Sequence, residues 1–278
     1  MARVRANDIE INVETFGQGP PILLLHGFPH TWRVWSAVIP ELAAGRRVIA
    51  PDLRGLGGSE RAADGYDGRT LAEDAGALLD VLGEEVTEVA ALDLGVVPAV
   101  LLALRHPERV SRLVVMEAVL PGAVDFPRPW WFGFHGVPGL AERVLGGHEG
   151  DYLDFFLRIG THDGGGIAGD VRDAFVSAYT GEESLRCAFA HYRAMSVTSD
   201  QLAEEVRRRR LTMPVTAIGA RPVGDALYRQ LLPFADDLTG DVIADCGHIV
   251  PLDRPAALLP YLKSPKWTSP RESEVDFT

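Results

Sequence analysis

The sequence predicts an α/β fold, and three observations carry that expectation. Short, nearly continuous apolar runs fall at residues 21–25, 47–50, 86–92 and 112–116, and return at 213–218 and 241–244. Runs of that kind fit strands buried on both faces of a parallel sheet. Segments of helical periodicity separate them, and an alternating segment precedes them, so a mostly parallel sheet flanked by helices is expected behind an antiparallel edge.

Taken in order, the edge comes first. Ile9, Ile11 and Val13 alternate with Glu10, Asn12 and Glu14, the period of a half-buried strand. Residues 21–25 are the first buried strand, followed by a helix over 32–44 on which Trp32 and Trp35 read as face packing. Strand 47–50, helix 70–82, strand 86–92, helix 94–105 and strand 112–116 follow. After Pro121 the alternation stops, and residues 121–211 read as helices and loops, with aromatics over 126–134 and a break at Gly164-Gly-Gly166. Strands at 213–218 and 241–244 then resume, each followed by a helix, the first over 226–232. One sheet interrupted by a helical insertion is the economical reading. From Ser264 the chain is polar and broken by proline, as in a loosely ordered tail.

Composition narrows the function. The 278 residues are 46% hydrophobic and 24% charged, an ordinary globular balance. The net charge of −12 argues against nucleic acid and anionic membranes as partners. Cys187 and Cys246 are too few for a disulfide framework or a zinc-ligand set. The first residues lack a signal peptide's apolar core, and the most apolar stretch, 89–104, is interrupted by Asp93 and Pro98; a soluble cytoplasmic protein is expected. Of 27 basic residues only Lys263 and Lys266 are lysine, a bias that points to a GC-rich bacterial gene.

The chemistry gathers at strand ends. Ala91-Leu92-Asp93-Leu94-Gly95 lies where a buried strand meets a helix, with small residues two before and two after Asp93. That spacing permits a nucleophile elbow, which lifts the central side chain above the sheet and leaves the Leu94 N–H at a helix N-terminus. A carboxylate there can attack an electrophilic carbon and form an alkyl-enzyme ester. An Asp in the same place can also simply cap the helix. His26-Gly-Phe-Pro29 follows the first buried strand, so the Phe28 N–H can supply a second oxyanion-hole donor. The Gly-rich Asp52-Leu-Arg-Gly-Leu-Gly-Gly-Ser59 follows the next strand, and Asp245-Cys-Gly-His248 ends the last one. The order is nucleophile, then histidine, with an acid to be found between them.

With these four motifs in order, the chain resembles the α/β-hydrolase superfamily from about Ile9 to Leu262. The resemblance implies an eight-stranded, mostly parallel sheet with an inserted helical cap: core at 1–120 and 211–263, cap at 121–210, polar tail at 264–278. An Asp nucleophile places it with the epoxide hydrolases and the haloalkane and haloacetate dehalogenases. Met116-Glu-Ala-Val-Leu-Pro-Gly122, Trp130-Trp-Phe-Gly-Phe-His-Gly-Val-Pro138 and Phe189-Ala-His-Tyr-Arg-Ala194 resemble bacterial epoxide hydrolases, including those of fluostatin- and kinamycin-type aromatic polyketide pathways. Haloacetate dehalogenases need arginines beside the nucleophile, and none occurs between Asp93 and Arg105. Haloalkane dehalogenases usually place Trp directly after the nucleophile, where this chain has Leu94.

The resemblance implies roles residue by residue. Asp93 would attack an epoxide carbon, and His248 would activate the water that hydrolyses the ester. Glu117, in the Met-Glu-Ala sequence, is favoured to orient His248; Asp225, beyond the seventh strand, is the alternative acid or merely starts a helix. Tyr192 would be the general acid and Trp131 a second hydrogen-bond donor, although related enzymes often carry His or a second Tyr at that place. Phe28 and Leu94 would form the oxyanion hole. Trp130, Phe132 and His135 would line the substrate pocket, with Phe126 and Phe134 as further wall or core; any of these aromatics can equally be packing. His26 reads as structural, His30 carries no signal, and His135 or His191 could border the pocket. No cofactor and no metal is expected, and the substrate would be an apolar epoxide, a polycyclic aromatic one included. The sequence leaves room for a homodimer. The competing readings are a haloalkane or haloacid dehalogenase using the same Asp93, and a binding protein for small molecules that has no catalytic activity.

Overall fold

The computed structural model describes residues 2–122 and 128–263. Phe126 and the 264–278 tail therefore lie outside the described residues. The strands are β1 (Ala2–Ala6), β2 (Ile9–Phe16), β3 (Pro21–Leu25), β4 (Arg47–Pro51), β5 (Thr87–Leu92), β6 (Val110–Met116), β7 (Leu211–Gly219) and β8 (Ala235–Val242). They form one sheet in the order β1-β2-β4-β3-β5-β6-β7-β8, antiparallel for β1, β2 and β4 and parallel from β4 through β3 to β8. This is the α/β-hydrolase architecture, an eight-stranded and mostly parallel sheet flanked by helices.

Helices on the two sides are α1 (Ile39–Ala43), α2 (Gly68–Leu82) and α3 (Val96–Arg105). Between β6 and β7 the chain leaves the sheet for α4 (Trp130–Gly136), α5 (Leu140–Leu145), α6 (Glu149–Ile159), α7 (Gly169–Tyr179), α8 (Glu182–Arg193) and α9 (Met195–Arg208). It then closes with α10 (Ala226–Leu231), α11 (Val250–Asp253) and α12 (Pro255–Lys263). Helix α2 starts because Asp67 caps the Thr70 N–H at 3.2 Å and stops at Gly83, whose φ of +74° suits only glycine well. Helix α3 is apolar all round, as the sequence Val-Val-Pro-Ala-Val-Leu-Leu-Ala-Leu requires, and is buried at Val96 and from Pro98 through Leu104.

Four segments depart from the expected elements. The helix expected over 32–44 is a 3-10 turn, Trp32–Trp35, and the separate short α1, because Pro40 in the first turn starts a helix rather than continuing one. Helix 94–105 opens as a 3-10 turn over Asp93–Gly95 before α3 begins. The last strand runs Ala235–Val242 rather than 241–244; as the sheet's edge it carries Asp236, Asp237 and Asp241, and that polar sequence masks it. β1, Ala-Arg-Val-Arg-Ala, is the other edge and equally silent. Among the described residues no helix is long and apolar enough to cross a membrane.

Candidate active site

The site stands at the C-terminal ends of β3, β5 and β6, the side of a parallel sheet where ligands bind. At the end of β5 the backbone turns so sharply that Asp93 takes a φ of +55°. A non-glycine residue there is strained, and Asp tolerates it better than most. Space explains the small flanking residues. A Cβ on Gly95 would lie 2.6 Å from the His26 carbonyl oxygen, and one on Gly27 would lie 2.1 Å from Asp93 Oδ1 and 2.6 Å from the Leu94 nitrogen. The loop after β3 is thus pressed directly against the elbow.

That contact orients the carboxylate. The Phe28 N–H donates to Asp93 Oδ1 at 2.9 Å, and Asp93 Oδ2 faces His248 Nε2 at 3.2 Å. On its other side, His248 Nδ1 faces Glu117 Oε2 at 3.3 Å. Glu117 is fully buried, with a φ of +48° where β6 ends, and its Oε1 accepts the Ala220 N–H. A neutral imidazole can donate from one nitrogen only, whereas His248 has a carboxylate at each. Burial lowers the pKa of His248, but the hydrogen bonds and charges of Asp93 and Glu117 outweigh it and push it up to about 10. Burial likewise would raise Asp93, and the His248 hydrogen bond and charge hold it below the ordinary value instead. Asp93 and His248 are therefore an ion pair at neutral pH.

The loops that carry these groups are tied down. Asp52, 2% exposed, accepts the Trp32 N–H and the Gly58 N–H at 2.8 Å each, and the Asn12 side-chain amide at 2.8 Å. His26 is buried with Nδ1 against the Gly27 carbonyl (2.9 Å) and Nε2 accepting the Leu53 N–H (3.2 Å), which makes it a strut of the Phe28 loop. The His248 loop is held by Asp253, which accepts the Gly247 N–H at 2.6 Å, and by the Ile249 N–H on the Gly160 carbonyl at 2.9 Å.

Aromatic side chains of the inserted helices cover this end. The Phe28 ring meets Tyr179, Phe156, His135 and Tyr192 edge to face, with centroids at 5.2, 5.5, 5.4 and 5.9 Å. Tyr192 also packs on Phe132 at 5.2 Å and on His135 at 4.5 Å. Burial first, then the Asp93 charge, pushes its phenol pKa well up, so it stays protonated. His135 is fully buried, stacks on Phe189 at 4.0 Å, and pairs its Nε2 with the Tyr152 hydroxyl at 2.6 Å; burial drives it down to about 3.

Not every expected residue joins the cluster. Asp225 is exposed at the start of α10 and pairs with Arg229 at 3.0 Å, so the alternative acid does not meet His248. Trp130 is 57% exposed and packs on Trp131, Phe134 and Phe155, on the outer side of α4 rather than in the cluster around Phe28. Trp131 is half-buried, and its ring neighbours among the described residues are Trp130, Phe132 and Phe156. His191 turns its Nε2 to the Arg54 carbonyl at 3.0 Å. Conversely, Tyr152, Tyr179 and His30 gave no sequence signal: their neighbours are distant in the chain, and only the fold brings them here. Among the described residues, no group of three or more His, Cys, Asp or Glu is placed to hold a metal ion.

Comparison with known proteins agrees with this fold. Residues 20–156 match the alpha/beta hydrolase fold family. A soluble epoxide hydrolase of Corynebacterium sp. (strain C12) is 31% identical over 262 residues, covering 90% of this chain and 91% of the relative. The solved structure of the epoxide hydrolase CorEH without ligand superposes with a TM-score of 0.88 at 29% identity, over 94% of this chain and 96% of that one. A fluoroacetate dehalogenase of Burkholderia sp. is 37% identical, but over 51% of each chain. With a relative matched along nine-tenths of both chains and the fold in agreement, this protein belongs to the α/β-hydrolase family and is a hydrolase with epoxide hydrolase homologues.

Proposed function

We propose that the protein is an epoxide hydrolase that opens an apolar epoxide to a vicinal diol through an ester on Asp93. The observation that carries this reading is the Asp93 carboxylate at the elbow, with Oδ1 on the Phe28 N–H and Oδ2 on His248. A serine there would mean an acyl enzyme; a carboxylate is suited to attack at an alkyl carbon. Residues 121–210 act as a cap over the core of 1–120 and 211–263, and their aromatic lining supports an apolar substrate. The resemblance to enzymes of aromatic polyketide pathways favours a polycyclic one.

In the first step Asp93 Oδ2 bonds to an epoxide carbon, the carbon–oxygen bond breaks, and the alkoxide takes the proton of Tyr192, with Trp131 as a further donor. Ester formation removes the Asp93 charge, and with it one of the two partners that raise His248. The imidazolium proton then returns to the Tyr192 phenolate through solvent, leaving His248 neutral. In the second step His248, oriented by Glu117, takes a proton from water as its oxygen attacks Asp93 Cγ. The oxyanion on Oδ1 is held by the Phe28 and Leu94 N–H groups. Collapse releases the diol oxygen, which takes the carboxyl proton, and the Asp93–His248 ion pair is restored.

The test is intact-protein mass spectrometry of His248→Gln after exposure to epoxides and haloalkanes. The protein should gain the mass of the whole epoxide, on the peptide holding Asp93. An adduct formed only from haloalkanes, lacking the halogen, would make the protein a dehalogenase instead.

A further inference from the structure

His30 is a fully buried histidine beside the Asp93–His248 pair to which the proposed mechanism gives no part. Its backbone is fixed at both ends: its N–H donates to the Gly27 carbonyl at 3.0 Å, and its carbonyl accepts the Tyr179 hydroxyl at 2.6 Å. The ring lies edge-on to Phe175 at 5.5 Å and faces the His248 ring at 6.4 Å, with the planes 28° apart. Neither ring nitrogen has a hydrogen-bond partner among the described residues.

That combination is costly for a packing residue. A buried polar atom left unpaired keeps the full penalty of its lost hydration, and an apolar side chain would fill the same volume without that cost. Burial keeps the imidazole neutral, against the attraction of Asp93 and with the repulsion of His248 and His26. A neutral ring offers one donor and one acceptor, so a water molecule can accept from the one nitrogen or donate to the other. The two rings are not in contact: their centroids lie 6.4 Å apart, against 4.0 Å for His135 and Phe189, which touch.

We propose that His30 is a water-positioning residue: together with His248 it holds the water that hydrolyses the Asp93 ester. This rests on the two-step reading above, and it assigns His30 to the second step alone. With His30 holding the water, that oxygen presents its proton to His248 and a lone pair toward Asp93 Cγ. Without it, the water must be recruited from a less ordered set, at an entropic cost to the step that uses it.

The experiment follows both steps in single turnovers with styrene oxide as probe, in the wild type, His30→Leu and His30→Gln. Quenched samples are weighed for the adduct on Asp93 and assayed for diol. In His30→Leu, adduct should form at close to the wild-type rate and decay about tenfold more slowly or worse. His30→Gln keeps a donor and an acceptor and should decay within a few-fold of the wild type, a rescue that restored packing alone would not produce. Equal decay in all three proteins overturns the assignment. So does slower alkylation with unchanged decay, which would place His30 on the substrate. If both variants slow equally and melt at lower temperature, His30 is a packing residue. The absence of any Asp93 adduct in His248→Gln under the same conditions would instead overturn the ester mechanism itself.

Discussion

The Phe28 N–H donates to Asp93 Oδ1 at 2.9 Å. The group proposed to stabilise an oxyanion is thus the group that aims the nucleophile. In the proposed mechanism that oxygen becomes the ester's carbonyl oxygen, so the donor would need no rearrangement between alkylation and hydrolysis. Preorganisation of this kind depends on the close approach of two loops.

Adding a single carbon to that approach should break it. Gly27→Ala places a Cβ 2.1 Å from Asp93 Oδ1, and Gly95→Ala places one 2.6 Å from the His26 carbonyl oxygen. Neither neighbour can yield cheaply, since one is the aimed carboxylate and the other is backbone. Each variant should lose about 1–3 kcal/mol of stability, read from denaturant unfolding. In Gly27→Ala alkylation should fall further than stability explains. A variant that unfolds like the wild type would show the loops to be looser than their geometry implies.

The two acids separate by position. Glu117→Gln removes the charge facing His248 Nδ1 and keeps the shape, so ester hydrolysis should slow by roughly 100-fold or more, with adduct accumulating. Asp225→Asn breaks an exposed pair with Arg229 and should change neither step and stability by under about 0.5 kcal/mol. Adduct accumulating only in Asp225→Asn would overturn the assignment of Glu117.

Much of this was legible in the sequence, and what was not has physical reasons. Strands β3 to β7 announce themselves because burial on both faces demands uninterrupted apolar residues. The edges β1 and β8 carry arginines and aspartates on faces open to water, so their pairing leaves no apolar run. Asp93 was legible from the small residues around it, because the crowding that forbids a Cβ acts locally. Glu117 was favoured over Asp225 only through the resemblance of its Met-Glu-Ala sequence, since both follow strands and the path of the His248 loop decides which carboxylate it meets. The His135–Tyr152 pair joins α4 to α6, and nothing in either helix's periodicity marks it.

The ion pair sets the pH response. His248 is raised from 6.5 to about 10, so its contribution to stability is complete below 6.5 and is lost as pH rises through about 10. Asp93 is lowered from 3.8, so its contribution is present above that value and is lost as pH falls through the depressed one. The melting temperature of the wild type should therefore decline on the alkaline side, and His248→Gln should flatten that decline. Alkylation needs ionised Asp93 and should stay level from about pH 8 down to pH 5. Alkylation that weakens on acidification across that range would mean that Asp93 is not held low.

The inserted helices either do chemistry or only pack, and Tyr192 distinguishes the two. Tyr192→Phe keeps the ring that meets Phe28, Phe132 and His135, and removes only the hydroxyl. Burial and the Asp93 charge both hold that phenol protonated in the resting protein. As the ester forms the charge disappears, so the phenol becomes a stronger acid at the moment an alkoxide develops. Alkylation in Tyr192→Phe should therefore slow by about 100-fold or more, the usual scale of general acid catalysis. Trp131→Phe should cost less, because an indole N–H is a donor and a very poor acid, and Trp131 packs on Phe156 beside the cluster rather than on Phe28. Hydrolysis of the ester, driven by His248, should be nearly unchanged in both variants. Pre-steady-state measurement of the two steps decides it: unchanged alkylation in folded Tyr192→Phe would remove the proton donor from the mechanism, and a halide, which leaves without a proton, would then be the better leaving group.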